Sequence, residues 1–359
     1  MIYLLKLDYK KRSEDASSLM KEAIYSNHDY YTDAIEGIQE LLPSNETHIL
    51  NSANSCILTV VEALPEPILI PDEGGWNGLE RSAKILKKQV DTIDTDDGII
   101  NIEYLHNYLK NNNVGSIYIT TLAGYTALQP VNEIFELCAL YDVILVLDIS
   151  GTVGSNELSS QEHCDIQVCS TGSPKIVNIE NGGFINNITQ KLKFNNHLLK
   201  TFKADNITCA GISNEITKAP LILDKTIKLN TYLKKELSKK LEDDTTHNVI
   251  HSNSIGINTI FTTESKSKTK KLAYNIRQKL DITDNKSIIT TGPNYNRLKK
   301  PCVAIEVKNL DINQLNQEKI DELIEIIIES INEQWSYSMQ SYISSVKIIT
   351  NYLKKEKEN

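Results

Sequence analysis

The stretch Ile166-Gln-Val-Cys-Ser-Thr-Gly-Ser-Pro-Lys175 joins an apolar, strand-like run to a hydroxyl-rich turn that ends in a lysine. Gly182 and Gly183 follow seven and eight residues after that lysine. A lysine amine can form a Schiff base with an aldehyde cofactor, and neighbouring hydroxyls can bind its phosphate. Lysines in loops are more often surface residues, so this hypothesis depends on what the rest of the chain places beside Lys175.

Strand-like runs alternate with helical patterns on both sides of this stretch. Their order predicts a mostly parallel sheet covered by helices on both faces. Uninterrupted apolar runs such as Val143-Ile-Leu-Val-Leu147 are typical of strands buried on both faces. We therefore predict an α/β fold with three layers and a mostly parallel sheet of seven strands. The predicted strands are 48–51, 67–70, 90–93, 116–120, 143–147, 166–169 and 183–185, and the helices are 54–64, 76–88, 101–112 and 130–141.

The length of 359 residues allows one large α/β domain and a smaller appended one. We predict an N-terminal arm over residues 1–45, a large domain over 46–220 and a small α+β domain over 221–359. In the small domain the patterns predict strands at 254–261, 286–290 and 302–307, and helices at 267–279 and 317–333.

Composition argues against several classes of protein. A formal net charge of −9 disfavours broad nucleic-acid binding, which needs a clustered basic surface. No apolar run is long enough to span a bilayer, and the first residues become polar too early for a signal peptide, so we expect a cytoplasmic protein. The six cysteines lack short paired spacings, so we predict neither a metal site nor a disulfide framework. No GxGxxG motif follows a strand, which disfavours a nicotinamide dehydrogenase.

Polar residues follow several of the predicted strands. Asp148 comes directly after the most apolar strand, at the edge where open α/β sheets bind ligands. Asn51-Ser-Ala-Asn-Ser-Cys56 opens a predicted helix, whose N–H groups could bind an anion or could simply be capped. Trp76 follows two glycines after another strand, where it could stack on a flat ligand or close a turn from the core. Each signal is weak alone, and their shared place at strand ends is the stronger indication.

With these residues assembled, the chain resembles fold-type I pyridoxal-phosphate enzymes, most closely the nucleotide-sugar aminotransferase family. That family has a serine five residues before its Schiff-base lysine and a Gly-Gly pair seven and eight residues after it, which Ser170, Lys175 and Gly182-Gly183 match. The resemblance covers about residues 45–190 well and the rest in outline. It implies pyridoxal 5'-phosphate as the cofactor, with Lys175 as the catalytic residue. The cofactor-binding residues that it implies are Asn54, Ser55, Trp76, Asp148, Ser170 and Lys175.

Two departures from the family pattern concern the substrate. The family usually has a glutamine three residues after the aspartate, where this chain has Gly151, and its stacking aromatic residue lies nearer the proline than Trp76 does. Members of the fold that bind amino acids usually hold the carboxylate with a small-domain arginine, because a guanidinium group matches a carboxylate with two hydrogen bonds. Arg297 is our candidate for that role, with an ion-pairing surface arginine as the alternative.

The resemblance implies an aminotransferase that acts on an amino acid or an amino-sugar-type substrate, with a small-molecule amino donor and acceptor. It also implies a homodimer. A pyridoxal-phosphate-dependent lyase, a desulfurase or a β-replacement enzyme of the same fold is the alternative. A non-catalytic regulator on the same scaffold is disfavoured, because both Lys175 and Asp148 are present.

Overall fold

Seven strands form the central sheet of the protein, for which we use a computed structural model that describes residues 4–292 and 298–333. The sheet has the order β1-β7-β6-β5-β4-β2-β3, and all its pairs are parallel except those of β7, which is antiparallel to both neighbours. This confirms the predicted mostly parallel sheet. The strands are β1 (Glu46–Leu50), β2 (Ile68–Pro71), β3 (Val90–Ile93), β4 (Ser116–Thr120), β5 (Ile144–Asp148), β6 (Ile166–Ser170) and β7 (Gly183–Asn187).

Helices accompany these strands throughout the described ranges, and the four that were predicted between β1 and β5 are all present. The helices are α1 (Glu14–Ala23), α2 (Tyr30–Leu41), α3 (Ala53–Ala63), α4 (Gly78–Leu86), α5 (Ile102–Asn111), α6 (Val131–Tyr141), α7 (Asn196–Phe202), α8 (Asn206–Ile216), α9 (Ala219–Lys240) and α10 (Lys266–Gln278). A further helical segment runs over 317–333. Within the described ranges, no helix is long and apolar enough to cross a membrane.

Both faces of the central sheet are buried, as the unbroken apolar strands predict. Along β5, Leu145 and Leu147 pack into the core on one face, with α2, α5, α6 and α8. Ile144 and Val146 alternate with them and pack into the core on the other face, with α3 and α4. Each fully buried aliphatic side chain of this kind contributes roughly 1.5–3 kcal/mol to folding. The sheet is therefore a rigid support for the residues at its edges.

A three-stranded antiparallel sheet lies in the C-terminal part of the chain. Its strands are β8 (Thr259–Thr262), β9 (Ile289–Gly292) and β10 (Cys302–Ile305), in the order β8-β10-β9. The prediction of a strand over 254–261 was wrong for its first five residues. Residues 254–258 instead pack against the turn at Tyr125, whose carbonyl accepts the Ile257 and Asn258 N–H groups at 2.8 and 3.0 Å.

The N-terminal residues are attached to both parts of the fold. Helices α1 and α2 pack against α8, on one face of the large sheet. The strand Leu5–Leu7 instead pairs in parallel with Leu280–Ile282, beside the C-terminal sheet. The backbone N–H of Lys10 donates to the Asn309 carbonyl at 2.8 Å. Since the Lys10 Nζ also donates to the Lys175 carbonyl, residues 5–10 connect the C-terminal sheet to the region around Lys175.

Candidate functional site

A cavity of about 560 Å³ opens at the edge of the sheet where β4, β5 and β6 end. Its volume is in the range of small-molecule binding sites. It is also lined by residues from the C-terminal sheet, so both parts of the fold contribute to it. Of the predicted site residues, five line this cavity: Asn54, Trp76, Asp148, Ser170 and Lys175.

One described site residue, Ser55, does not line the cavity. The Ser55 hydroxyl turns back to the start of α3, where it donates to Asn51 Oδ1 at 2.6 Å and lies 2.8 Å from Ser52 Oγ. Ser55 therefore stabilises the helix start, which the alternative interpretation of this segment predicted. Arg297 lies outside the residues that the structure describes, so its role stays a prediction.

Lys175 lies in a loop between β6 and β7 that is held at several points. The Ser170 N–H donates to Ser150 Oγ at 2.8 Å, and the Thr171 hydroxyl donates to the Asn181 carbonyl at 2.6 Å. The Lys175 amine contacts Tyr125: its Nζ lies 2.8 Å from the Tyr125 Oη and 4.9 Å from the ring centre. The lysine is therefore positioned inside the cavity, unlike an ordinary surface lysine.

A second lysine holds the backbone of this loop. The Lys10 Nζ donates to the Lys175 carbonyl at 3.0 Å. Burial lowers the pKa of Lys10 to about 8, although Glu215 and Asp311 partly oppose that effect. The chain near Lys175 is thus fixed by a buried amine from the N-terminal segment, a contact with no local signal in the sequence.

The Gly182-Gly183 pair is required by close packing at the start of β7. Gly182 has a φ of +77°, in the left-handed region that favours glycine. A Cβ atom on Gly183 would lie 2.7 Å from the Cys169 carbonyl oxygen and 3.0 Å from backbone atoms of Ala53. The pair therefore allows β7 to pass directly beside the start of α3, which lines the cavity.

Replacing Gly183 by alanine is expected to destabilise the protein by about 1–3 kcal/mol, because the new methyl group meets backbone atoms that cannot rotate away. Urea unfolding measures the change. Gly75→Ala is the matched control, since a Cβ atom there would have no neighbour within 4 Å. Equal stability of the two variants would contradict the packing described at β7.

Asp148 supplies a buried carboxylate at the end of β5. Its Oδ1 accepts the Ser150 N–H at 2.9 Å, and the residue is 8% exposed. Burial raises the pKa of the nearby Cys56 and Cys169 thiols and of the Tyr118 phenol, and the negative charge of Asp148 adds to each increase. A positively charged group of a ligand is therefore favoured beside Asp148.

The start of α3 forms the other end of the cavity. Ser52 caps the helix by accepting the Ser55 N–H at 3.1 Å, and Ser52, Ala53 and Asn54 line the cavity. The first N–H groups of a helix have no partner within it and carry a partial positive charge, so this end favours an anion. Ser170, Ser173 and Gly182 line the same cavity.

Trp76 lines the cavity next to the start of α4 and is 44% exposed. A Cβ atom on Gly78 would lie 2.5 Å from the indole nitrogen of Trp76 and 3.1 Å from Asn54 Oδ1. Gly78 thus leaves room for the indole ring beside α3. The exposure of the ring disagrees with a tryptophan that closes a turn from the core, and the stacking role of Trp76 stays a prediction.

The sequence analysis missed two residues that shape the cavity. Tyr125, which follows the end of β4, contacts Lys175. Lys308 is buried, with its Nζ 2.6 Å from Asn309 Oδ1, 3.3 Å from Glu306 Oε2 and 5.4 Å from the centre of the Tyr125 ring. The rule that selected Trp76, an aromatic residue after a strand end, would also have selected Tyr125.

Comparisons with known proteins agree with this architecture. In sequence, residues 220–328 match the profile of the MJ1341 family C-terminal domain, and no curated protein matches. A NifS-like protein from Rickettsia africae superposes with a TM-score of 0.69 at 12% identity, covering 92% of this chain and 100% of that one. A serine palmitoyltransferase from Sphingomonas wittichii gives 0.72 at 10% identity, covering 93% and 88%. A cysteine desulfurase from Thermococcus onnurineus gives 0.70 at 12% identity, covering 92% and 95%.

The chain has the fold-type I architecture. The sheet order, the antiparallel β7 and these superpositions confirm the predicted fold class. At identities of 12% or less the likeness concerns the fold alone. Serine palmitoyltransferases with this fold have been solved with pyridoxal phosphate. The residues that line the cavity decide what this fold-type I chain can bind.

Proposed function

We propose that this chain is a pyridoxal-phosphate-dependent enzyme whose Lys175 forms the covalent link to the cofactor. The observation that carries the proposal is the donor set of one cavity: the Lys175 amine, the Asp148 carboxylate and the start of α3 all line it. An amine for the aldehyde, a carboxylate for the pyridine nitrogen and an anion site for the phosphate are the three groups that this cofactor needs. The residues therefore fit the cofactor.

Each end of the cavity would hold a different part of the cofactor. The N–H groups at the start of α3, with Asn54 and Ser170, would hold the phosphate. Asp148 would keep the pyridine nitrogen protonated, and Trp76 would stack on the ring. When bound in this way, the cofactor withdraws electrons from the carbon that carries the substrate amine.

Lys175 would have two roles in turn. Its amine would hold the cofactor covalently and would be free to move a proton once a substrate amine has taken its place. The released Nζ stays in the cavity, because the loop is held through its backbone by Lys10 and Thr171. From there it can take a proton from the substrate carbon and return it to another atom.

Cofactor binding is tested optically on the purified full-length protein. Addition of pyridoxal phosphate is expected to produce a visible absorption band that borohydride removes, and digestion should then locate the reduced adduct on Lys175. The wild-type protein with pyridoxal itself, which lacks the phosphate, is the matched control and should bind more weakly. No band, or an adduct on other lysines only, would overturn the proposal.

Within this class, we propose transamination of an amino acid or an amino-sugar-type substrate. All six cysteines lie in the described residues, are buried, and include thiols such as Cys302 whose pKa burial raises to about 11. A cysteine that takes up sulfur must be an accessible thiolate, so these thiols are poorly suited to that step. The alternative is an elimination, a desulfuration or a β-replacement that uses no cysteine of this chain.

Half-reactions separate these candidates. A transaminase incubated with an amino donor alone converts the bound cofactor to pyridoxamine phosphate and releases one keto product per site. A lyase or β-replacement enzyme keeps its visible band and releases product repeatedly. A panel of amino acids and amino sugars therefore tests both the reaction and the substrate class.

The substrate side of the cavity comes from the C-terminal sheet. Among the described residues no arginine lines the cavity, whereas Lys308 does. Lys308, paired with Glu306 at 3.3 Å, thus brings a cation to the substrate side of the cavity, where Arg297 would join it if that residue has its predicted role. The proposal also includes a homodimer in the cytoplasm that acts on small molecules, which chemical cross-linking and cell fractionation would test.

A further inference from the structure

We propose that Tyr125 is a catalytic residue whose phenol exchanges a proton with the Lys175 amine. The inference rests on the proposed function of Lys175. The Lys175 Nζ lies 2.8 Å from the Tyr125 Oη, and the ring lies beside the same nitrogen at 4.9 Å. A distance of 2.8 Å is that of a hydrogen bond along which a proton can move.

The backbone of Tyr125 is held in an unusual conformation. Its φ is +62°, a left-handed value that a bulky residue rarely adopts. The Tyr125 carbonyl accepts N–H groups from Ile257 and Asn258, and the next carbonyl, of Thr126, accepts from Lys234 Nζ. The C-terminal part of the chain therefore holds the turn that directs this side chain toward Lys175.

The space for the ring is made by Gly151, which follows the Asp148 strand. A Cβ atom on Gly151 would lie 2.8 and 2.9 Å from the Cδ1 and Cε1 atoms of the Tyr125 ring. Any other residue at position 151 would displace the ring. The glycine that departs from the nucleotide-sugar aminotransferase pattern is thus explained by the tyrosine that lies over it.

The proton transfer is balanced without any other reactant. The O–H bond of Tyr125 breaks as an N–H bond forms on the neutral Lys175 amine, or the reverse, and no electrons are exchanged. The ring also lies 5.4 Å from the Lys308 Nζ, which is itself 3.3 Å from the Glu306 carboxylate. Glu306 fixes Lys308 in place, with Thr290 and Asn258 donating to its carboxylate at 2.9 and 2.8 Å.

The test uses Tyr125→Phe in the full-length protein, which keeps the ring and removes the hydroxyl. In the cofactor-free protein, the pH midpoint for labelling of Lys175 by an amine-reactive reagent, read by mass spectrometry, is expected to shift by about half a pH unit or more. In the loaded protein, the half-reaction with an amino donor is expected to slow by about tenfold to a thousandfold, with a larger isotope effect for an α-deuterated donor.

Tyr118→Phe is the matched control, because its buried hydroxyl has no hydrogen-bond partner among residues 4–292 and 298–333 and it lies outside the cavity lining. Gly151→Ala is the second variant: it keeps the phenol but crowds its ring, and it is expected to shift the labelling midpoint as Tyr125→Phe does. A wild-type midpoint in both Tyr125→Phe and Gly151→Ala would overturn the proposal. If the wild-type protein fails to form the borohydride adduct, the proposed function is overturned instead. The labelling midpoint of the cofactor-free protein would still show whether Tyr125 and Lys175 share a proton.

Discussion

Replacing Lys175 by alanine is expected to abolish the visible cofactor band and to lower turnover by about four orders of magnitude or more. The expected effect is large because the same nitrogen both forms the covalent link and moves the proton in the proposed reaction. The proposed phosphate site at the start of α3 and Asp148 remain intact in the variant, so it should still bind the cofactor without a covalent link. Absorbance after gel filtration measures bound cofactor, borohydride trapping measures the covalent link, and a steady-state assay measures turnover.

Two further variants make this result specific. Lys175→Arg keeps a positive charge next to Tyr125 but cannot form the link, so it is expected to behave like Lys175→Ala. Lys200→Ala removes an exposed lysine of α7 outside the cavity and is expected to keep the band and the turnover. A reducible adduct of normal yield in Lys175→Ala would exclude Lys175 from its proposed role, because the cofactor would then be linked to another amine.

Lys234→Met is expected to destabilise the folded protein by about 3–5 kcal/mol. The Lys234 amine is completely buried and donates to three carbonyls: that of Thr126, that of His251 at 3.1 Å and that of Ser254 at 3.0 Å. Methionine fills a similar volume but donates no hydrogen bond, so three buried acceptors lose their partner. Urea unfolding measures the loss, and Lys235→Met, at an exposed position of the same helix, is the control.

The pH dependence of stability gives a second signature of Lys234. Burial lowers its pKa from 10.5 to about 8. Between these values the unfolded chain binds more protons than the folded protein, so the contribution of Lys234 to the free energy of unfolding rises with pH and is lost as the pH falls through 8. Between pH 8 and 10.5, Lys234→Met should therefore reduce the slope of the free energy of unfolding against pH by up to about 1.4 kcal/mol per pH unit. Buried Lys10 should keep part of the slope. An unchanged slope would show that the amine is not buried as described.

The features that depend on local pattern were predictable from the sequence. The seven strands follow from short apolar runs, and Asp148 and Lys175 follow from their places after two of those runs. The common edge of a parallel sheet then brings them together. Ser55 shows the limit of this reasoning, because it shares with Asn54 a helix start that resembles a phosphate site. Only the phase of the helix decides which of the two side chains faces the cavity.

Features that depend on distant contacts could not be predicted. The conformation of Tyr125 is held by Ile257 and Asn258, more than a hundred residues further along the chain. In the sequence, Lys234 is one of many lysines in a polar helical pattern, and only the fold shows that three carbonyls surround it. The strand expected over 254–261 was shortened for the same reason: its first residues bind the Tyr125 turn instead of a neighbouring strand.

The segment from Leu5 to Lys10 has a thermodynamic consequence for the whole molecule. It pairs with Leu280–Ile282 at one end and hydrogen-bonds to the Lys175 carbonyl at the other. Thermodynamic linkage is reciprocal. If a ligand binds more tightly when the Lys175 loop is ordered, binding of that ligand must stabilise the docked segment. The free energy of that stabilisation equals the free energy by which the docked segment strengthens binding. Binding of such a ligand in the cavity and docking of the strand Leu5–Leu7 would thus be coupled to each other by one free energy.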